Sequence, residues 1–246
     1  MEHRVLTEEI LFRGADGDLV QGFLARPLDA TVHGSMVVIH HMPGYDQATK
    51  EIAYRFARHG YATLMPNLYW REAPNAAPDE AAAIARAQGG VPDERLIGDV
   101  AGARDYLRAA LSANGKVGVI GYCSGGRQSF LAACAIPFDA AIDCYGAFVV
   151  NEPPEGAPVR VRPVIDRAPE LHAPLLGLFG NDDSFPAPDE VRRLDEELTR
   201  LGKAHEFHSY DGAGHAFFNT AAPSYRPEAA NDGWQRIFRF LGEHLA

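Results

Sequence analysis

Short apolar runs alternate along this chain with stretches of helical spacing, and that alternation restricts the fold more than any other feature. Gly34-Ser35 opens Met36–Ile39, an apolar run with β-branched members that reads as a buried strand. Helical spacing follows in KEIAYRFARHG, where Ile52, Phe56 and Ala57 share a face and Gly60 stands at the C-cap. Tyr61–Met65 is the next strand, stopped by Pro66. A helix is expected over Asp93–Ala113, with Leu96, Val100, Ala103 and Leu107 in one stripe. Strand Val117–Tyr122, helix Gly125–Cys134, strand Ala140–Tyr145 and strand Leu175–Phe179 follow. Pro188 starts a helix over Asp189–Leu201, whose stripe is Val191, Leu194, Leu198 and Leu201. Strand Glu206–Tyr210 and a helix near Asp232–Leu245 end the series.

Parallel strands need crossover helices, so this order specifies an α/β fold with a doubly wound, mostly parallel sheet covered on both faces. Ile10–Arg13 and Leu19–Arg26 flank the turn Gly14–Gly17, which predicts an antiparallel N-terminal hairpin. Tyr69–Val91, rich in Ala and Pro, and Val150–Pro169, rich in Pro, Val and Arg, read as irregular excursions over one end of the sheet. Neither is long enough to be a separate cap domain, so residues 1–246 are expected to form a single domain.

Composition narrows the function classes. The 246 residues carry 23 Lys and Arg against 33 Asp and Glu, a net charge of −10, and the arginines sit among acids, as in DEVRRLDEELTR. A nucleic-acid partner would want the opposite balance on a clustered basic face, so none is expected. No apolar run approaches the length of about 20 residues that a membrane span requires. The opening MEHRVLTEEI is charged and has no apolar core, so no secretory signal is expected. Three cysteines cannot all pair within one chain, which fits a reducing, cytoplasmic setting.

The segment Gly121-Tyr-Cys-Ser-Gly-Gly126 follows the run Val117–Ile120 and precedes helical spacing. It is a nucleophile elbow, a strand-to-helix turn too sharp for bulky neighbours around its central residue. That residue is Cys123, raised at the carboxyl edge of the sheet over a helix N-terminus, whose free N–H groups favour a thiolate. Cys134 and Cys144 read as small buried hydrophobes. A base and its orienting acid follow the nucleophile in such folds, in the order acid, then histidine. His215, in the Gly-rich loop YDGAGHAFF after the last strand, lies at the sheet's carboxyl end and is the expected base. His172 precedes a strand, His205 and His208 alternate on one, and His244 lies in the final helix. The acid is Asp182 or Asp183, in the turn GNDDSFP, with the other capping the turn. In His40-His41-Met42-Pro43-Gly44, Met42 has an N–H and Pro43 has none. The Met42 and Ser124 amides are therefore the expected oxyanion hole.

Those segments resemble the dienelactone hydrolase family of the α/β-hydrolase superfamily, over about residues 35–220. The matching stretches are GYCSGG, the loop after VVIH, ATLMPNLY, GNDDSFPAP and YDGAGHAFF. The resemblance implies a carboxymethylenebutenolidase-like hydrolase of small esters or lactones that needs no cofactor or metal and works through a thioester. Its Gly-x-x-Asp turn, laid on Gly180–Asp183, implies Asp183 as the acid. Two positions depart from the family pattern. His41 replaces a glutamate that helps deprotonate the cysteine, and Asn219 replaces an arginine that grips a substrate carboxylate. His41 and Asn219 are accordingly candidate pocket residues.

Three rival readings are weaker. A metal protein would want convergent ligand spacing such as His-x-x-x-His, which is missing here. A thiol redox protein would want a resolving cysteine close by. A non-catalytic small-molecule-binding protein on a hydrolase scaffold does not account for nucleophile, acid and base in the expected order. The expected partner is a small ester or lactone, and the expected assembly a monomer or homodimer.

Overall fold

Along β3 (Ser35–Ile39), Met36 and Val38 enter one core while Val37 and Ile39 enter the other. The period of two explains why a central strand is apolar throughout, since each face meets its own layer of helices. The structure, a computed structural model, describes residues 3–28, 33–111, 114–157 and 159–246. The remaining strands are β1 (Val5–Arg13), β2 (Leu19–Pro27), β4 (Ala62–Pro66), β5 (Val117–Tyr122), β6 (Ala140–Cys144), β7 (Leu175–Gly180) and β8 (His205–Tyr210). They form one eight-stranded sheet in the order β1-β2-β4-β3-β5-β6-β7-β8. The β1–β2 and β2–β4 pairs are antiparallel and all others parallel, so the expected hairpin start is present.

The helices are α1 (Gln47–Arg58), α2 (Pro78–Ala87), α3 (Asp93–Ala110), α4 (Ser124–Ala135), α5 (Pro188–Arg200) and α6 (Pro227–His244). Phe56 of α1 and Trp234, Ile237 and Leu241 of α6 pack on the Met36–Val38 face. The stripe Leu96, Val100, Ala103 and Leu107 of α3 packs on the other face with Phe130 of α4 and Leu194 of α5. α1 starts at the Asp46 cap, whose carboxylate accepts the Thr49 N–H at 2.9 Å, and it ends before Gly60 at φ 93.

Several boundaries differ from the sequence reading: most by a residue or two, while β1 begins at Val5 rather than Ile10. Tyr69–Val91 is not wholly irregular, because it contains α2. That helix has Pro78 in its first turn, followed by Asp79 and Glu80, and buries only alanines, Ala81, Ala82 and Ala85. Small side chains make a close-packed face without the large apolar stripe that marks a helix in sequence. α6 begins at Pro227 rather than near Asp232, and α3 stops at Ala110, the expected end at Ala113 lying outside the described residues.

Asp143 of β6 is a buried carboxylate of the central sheet. It is fully buried; one oxygen accepts the Gly146 N–H at 2.7 Å and the other has no partner. Burial pushes its pKa up to about 7, against a smaller opposing effect of that hydrogen bond. Because the folded value exceeds the unfolded one, Asp143 supports folding while protonated and loses that contribution as pH rises from about 4 through 7. Asp143→Asn is expected to gain stability relative to the parent over this window, by about 4 kcal/mol at most. Denaturant melts of both proteins at pH 4.5 and 8 measure it, and a difference independent of pH would contradict the assignment.

Candidate active site

The carboxyl ends of β3, β5, β7 and β8 lie along one edge of the sheet, and each contributes a piece of the site. At the end of β5 the chain reverses so tightly that a Cβ on Gly121 would meet the Gly125 carbonyl oxygen at 1.8 Å. One on Gly125 would meet the Ile39 carbonyl oxygen at 2.5 Å. Glycine at both places is therefore a steric requirement of the turn. Cys123 stands at its apex with φ 59 and ψ −122, a strained conformation for a non-glycine residue, as the residue before α4. The Cys123 N–H bonds to the Cys144 carbonyl at 3.0 Å, which ties the apex to β6.

His215, in the loop after β8, places Nδ1 2.8 Å from Oδ2 of Asp183, in the loop after β7. The Asp183 side chain is 2% exposed and that of His215 33%. Burial works against a charged imidazole. The hydrogen bonds to Asp183 and Cys123, with the charges of those groups, outweigh it, and the His215 pKa is pushed up to about 10. Tyr145 at φ 43 packs its ring edge against the imidazole at 5.2 Å. The turn-capping role expected of the second aspartate falls to Asp183 itself, whose Oδ1 accepts the Phe185 N–H at 2.8 Å. Asp182 is exposed at the rim.

The loop after β3 is fixed from two sides. Nε2 of buried His40 accepts the Leu68 N–H at 3.2 Å, so its Nδ1 carries the proton and donates to the His41 carbonyl at 2.8 Å. Burial holds the His40 pKa down to about 4, which keeps the ring neutral in that role. The Gly44 N–H also bonds to the His41 carbonyl, at 2.9 Å, and the Tyr69 hydroxyl donates to the Met42 carbonyl at 2.8 Å. With its carbonyl anchored inward, the planar His41–Met42 peptide turns the Met42 N–H the opposite way. Met42 and Ser124 both line a cavity of about 430 Å³ together with Cys123 and His215.

His41 and Asn219 border a second cavity, of about 150 Å³, which also reaches Cys123. His41 Nε2 is 2.6 Å from Oδ2 of Asp46. Burial raises the Asp46 carboxyl, yet the His41 and Thr49 hydrogen bonds prevail and hold it down to about 2. The Asn219 oxygen accepts the Ala221 N–H at 3.0 Å. The sequence reading missed Arg55 of α1, which borders this cavity and lies 4.6 Å from the Trp234 ring. Spacing carries no signal for it, since the fold decides which face of α1 meets the cavity. Arg71, by contrast, is bound to Asp18 and Asp99, and Cys134 and Cys144 are buried with thiol pKa values pushed up by burial. Among the described residues, no three His, Cys, Asp or Glu side chains are close enough to hold a metal ion, and no helix is long and apolar enough to cross a membrane.

Comparison with known proteins identifies the family and the fold. An Escherichia coli protein named "Putative carboxymethylenebutenolidase" is 30% identical over 241 residues, covering 94% of this chain and 84% of that one. A Synechocystis protein of the same name is 26% identical over 231 residues, covering 92% of each. The crystal structure of a "Putative Dienelactone Hydrolase" from Klebsiella pneumoniae superposes with a TM-score of 0.85 at 26% identity, covering 98% of this chain and all of that one. The profile of the dienelactone hydrolase family matches residues 20–245. The chain belongs to the dienelactone hydrolase family, with the α/β-hydrolase fold.

Proposed function

We propose that this protein hydrolyses small carboxylic esters or lactones by covalent catalysis through Cys123, His215 and Asp183. The observation that carries the reading is the grouping at the elbow: Asp183 holds Nδ1 of His215 at 2.8 Å, and Cys123 and His215 line the same cavity, where Cys123 helps to raise the His215 pKa. A His215 pKa of about 10 describes an imidazolium beside the nucleophile, the partner that a thiolate needs. The thiolate adds to the ester carbonyl, and the Met42 and Ser124 amides receive the oxyanion. Collapse breaks the bond to the leaving oxygen, which takes the proton from His215 and departs as the alcohol. A thioester remains. Water then gives a proton to His215 and adds to the thioester, the acid is released, and His215 stays protonated beside the regenerated thiolate. The names carried by the similar proteins, a carboxymethylenebutenolidase and a dienelactone hydrolase, support the choice of ester and lactone substrates.

A slow ester and an acid quench test the proposal. The expected result is one acyl adduct per chain, on the tryptic peptide containing Cys123 and cleaved by hydroxylamine. Brief iodoacetamide treatment labels the same residue first and stops turnover. An adduct on Cys134 or Cys144, or turnover with Cys123 fully alkylated, overturns the reading.

A further inference from the structure

Phe185 differs from the other exposed large apolar side chains among the described residues, Leu11, Leu19, Leu28 and Tyr54, because it lines a cavity that holds the nucleophile. It is 43% exposed, yet it is held in place. Its N–H bonds to Oδ1 of Asp183 at 2.8 Å, and its ring lies 5.7 Å from that of Phe148, in the loop after β6. Phe148 stands at φ 66, a conformation that persists only where the surroundings fix it. The two rings, with Ala147, Val159 and Val161, form an apolar wall around Cys123 and His215. An aromatic surface fixed beside a nucleophile and left in water gains by burial against a ligand. The volume of about 430 Å³ falls within the range of roughly 300–1,000 Å³ found for pockets that take small organic molecules.

The charged groups of this cavity leave nothing for an anion. Arg127 is 2% exposed and is bound to Asp93 and the Arg162 carbonyl. The His215 imidazolium is matched by Asp183, both of whose oxygens are engaged. Asp182, exposed at the rim, is a carboxylate and repels another. A neutral, apolar group meets no such obstacle.

Resting on the cysteine-hydrolase reading above, we infer that the substrate ester carries a bulky uncharged group, aryl or branched alkyl, packed against Phe148 and Phe185, and that these two residues determine specificity. The ring is offered on both sides of the ester, as 2-naphthylmethyl acetate and as methyl 2-naphthylacetate, with methyl acetate as the reference. Values of kcat/KM are measured for the parent, Phe185→Ala, Val161→Trp and Cys123→Ala, and comparing ratios between proteins cancels intrinsic reactivity. For the naphthyl ester that the parent prefers, the ratio to methyl acetate is expected to fall about fivefold in Phe185→Ala, which removes one ring contact. It is expected to fall about tenfold or more in Val161→Trp, which fills the cavity. With the parent, 4-carboxybenzyl acetate is expected to react about tenfold more slowly than 4-methylbenzyl acetate, each corrected for its alkaline hydrolysis rate.

A ratio unchanged in either folded variant overturns the proposal, as does a 4-carboxy ester turned over as fast as its methyl counterpart. A Phe185→Ala protein with unchanged selectivity and an altered sedimentation coefficient would overturn it too, and would assign the ring to contact between two copies of the chain. If Phe185→Ala does not fold, Val161→Trp and the charge comparison, which needs only the parent, decide. Undiminished hydrolysis of methyl acetate by Cys123→Ala would instead defeat the cysteine reading, whatever the ratios.

Discussion

In Cys123→Ala, hydrolysis of small esters is expected to fall by a factor on the order of 10⁴–10⁶, with the fold intact. The size of the effect follows from the division of labour at the elbow. Without sulfur there is no covalent intermediate, and the oxyanion donors and cavities retain only whatever catalysis binding and polarisation provide. The variant keeps the backbone requirement of the site, because alanine, like cysteine, is strained at φ 59. Thermal unfolding of the two proteins is therefore expected to differ by no more than a few degrees. A variant that folds and still turns over at a tenth of the parental rate would move the nucleophile elsewhere.

Asp183→Asn is expected to lower kcat by roughly 10²–10⁴-fold, while Asp182→Asn acts weakly. The geometry states why an amide is harmful here. Both Asp183 oxygens are engaged, one by the Phe185 N–H and one by His215 Nδ1. Asparagine has a single oxygen. If that oxygen keeps the Phe185 N–H, the NH₂ faces Nδ1 and forces the imidazole into the tautomer with its proton on Nε2. That nitrogen then cannot take a proton from Cys123 or from water. Single-turnover rates of acylation and deacylation should both fall. The reverse ranking of the two aspartates, in variants that melt normally, would assign the base's partner to Asp182.

Much of the framework was legible because its signals are local. A run such as Val117–Tyr122 is bounded by glycine and helical spacing, and the structure assigns it the same limits. The elbow was legible for a steric reason, since only small residues fit where the Gly121 and Gly125 backbones cross. The true start of α6 at Pro227 is masked in the sequence, since Asn231-Asp232-Gly233 has the composition of a turn inside the helix. Gly233 is there for packing, as a Cβ on it would meet the Phe218 ring at 2.4 Å. Arg55 and Tyr122 went unrecognised as cavity residues for another reason. Their roles depend on which faces of α1 and β5 open toward the sheet edge, a tertiary relation that spacing does not encode. The dual engagement of Asp183 was hidden likewise, because two acceptor directions on one carboxylate appear only once the turn and the His215 loop are folded.

Arg127 lies behind the larger cavity, almost fully buried. It joins Asp93 by two hydrogen bonds of 2.9 and 2.8 Å and donates to the Arg162 carbonyl at 2.8 Å from its NH2 group. The cavity wall that carries Val159 and Val161 is thus fastened to the helices by a main-chain oxygen, a group common to every amino acid. Side chains on that wall can change without loosening its anchor. Libraries randomised at Val159 and Val161 would therefore yield mostly folded proteins with altered substrate preference, and divergence under natural selection would have the same freedom at those two positions.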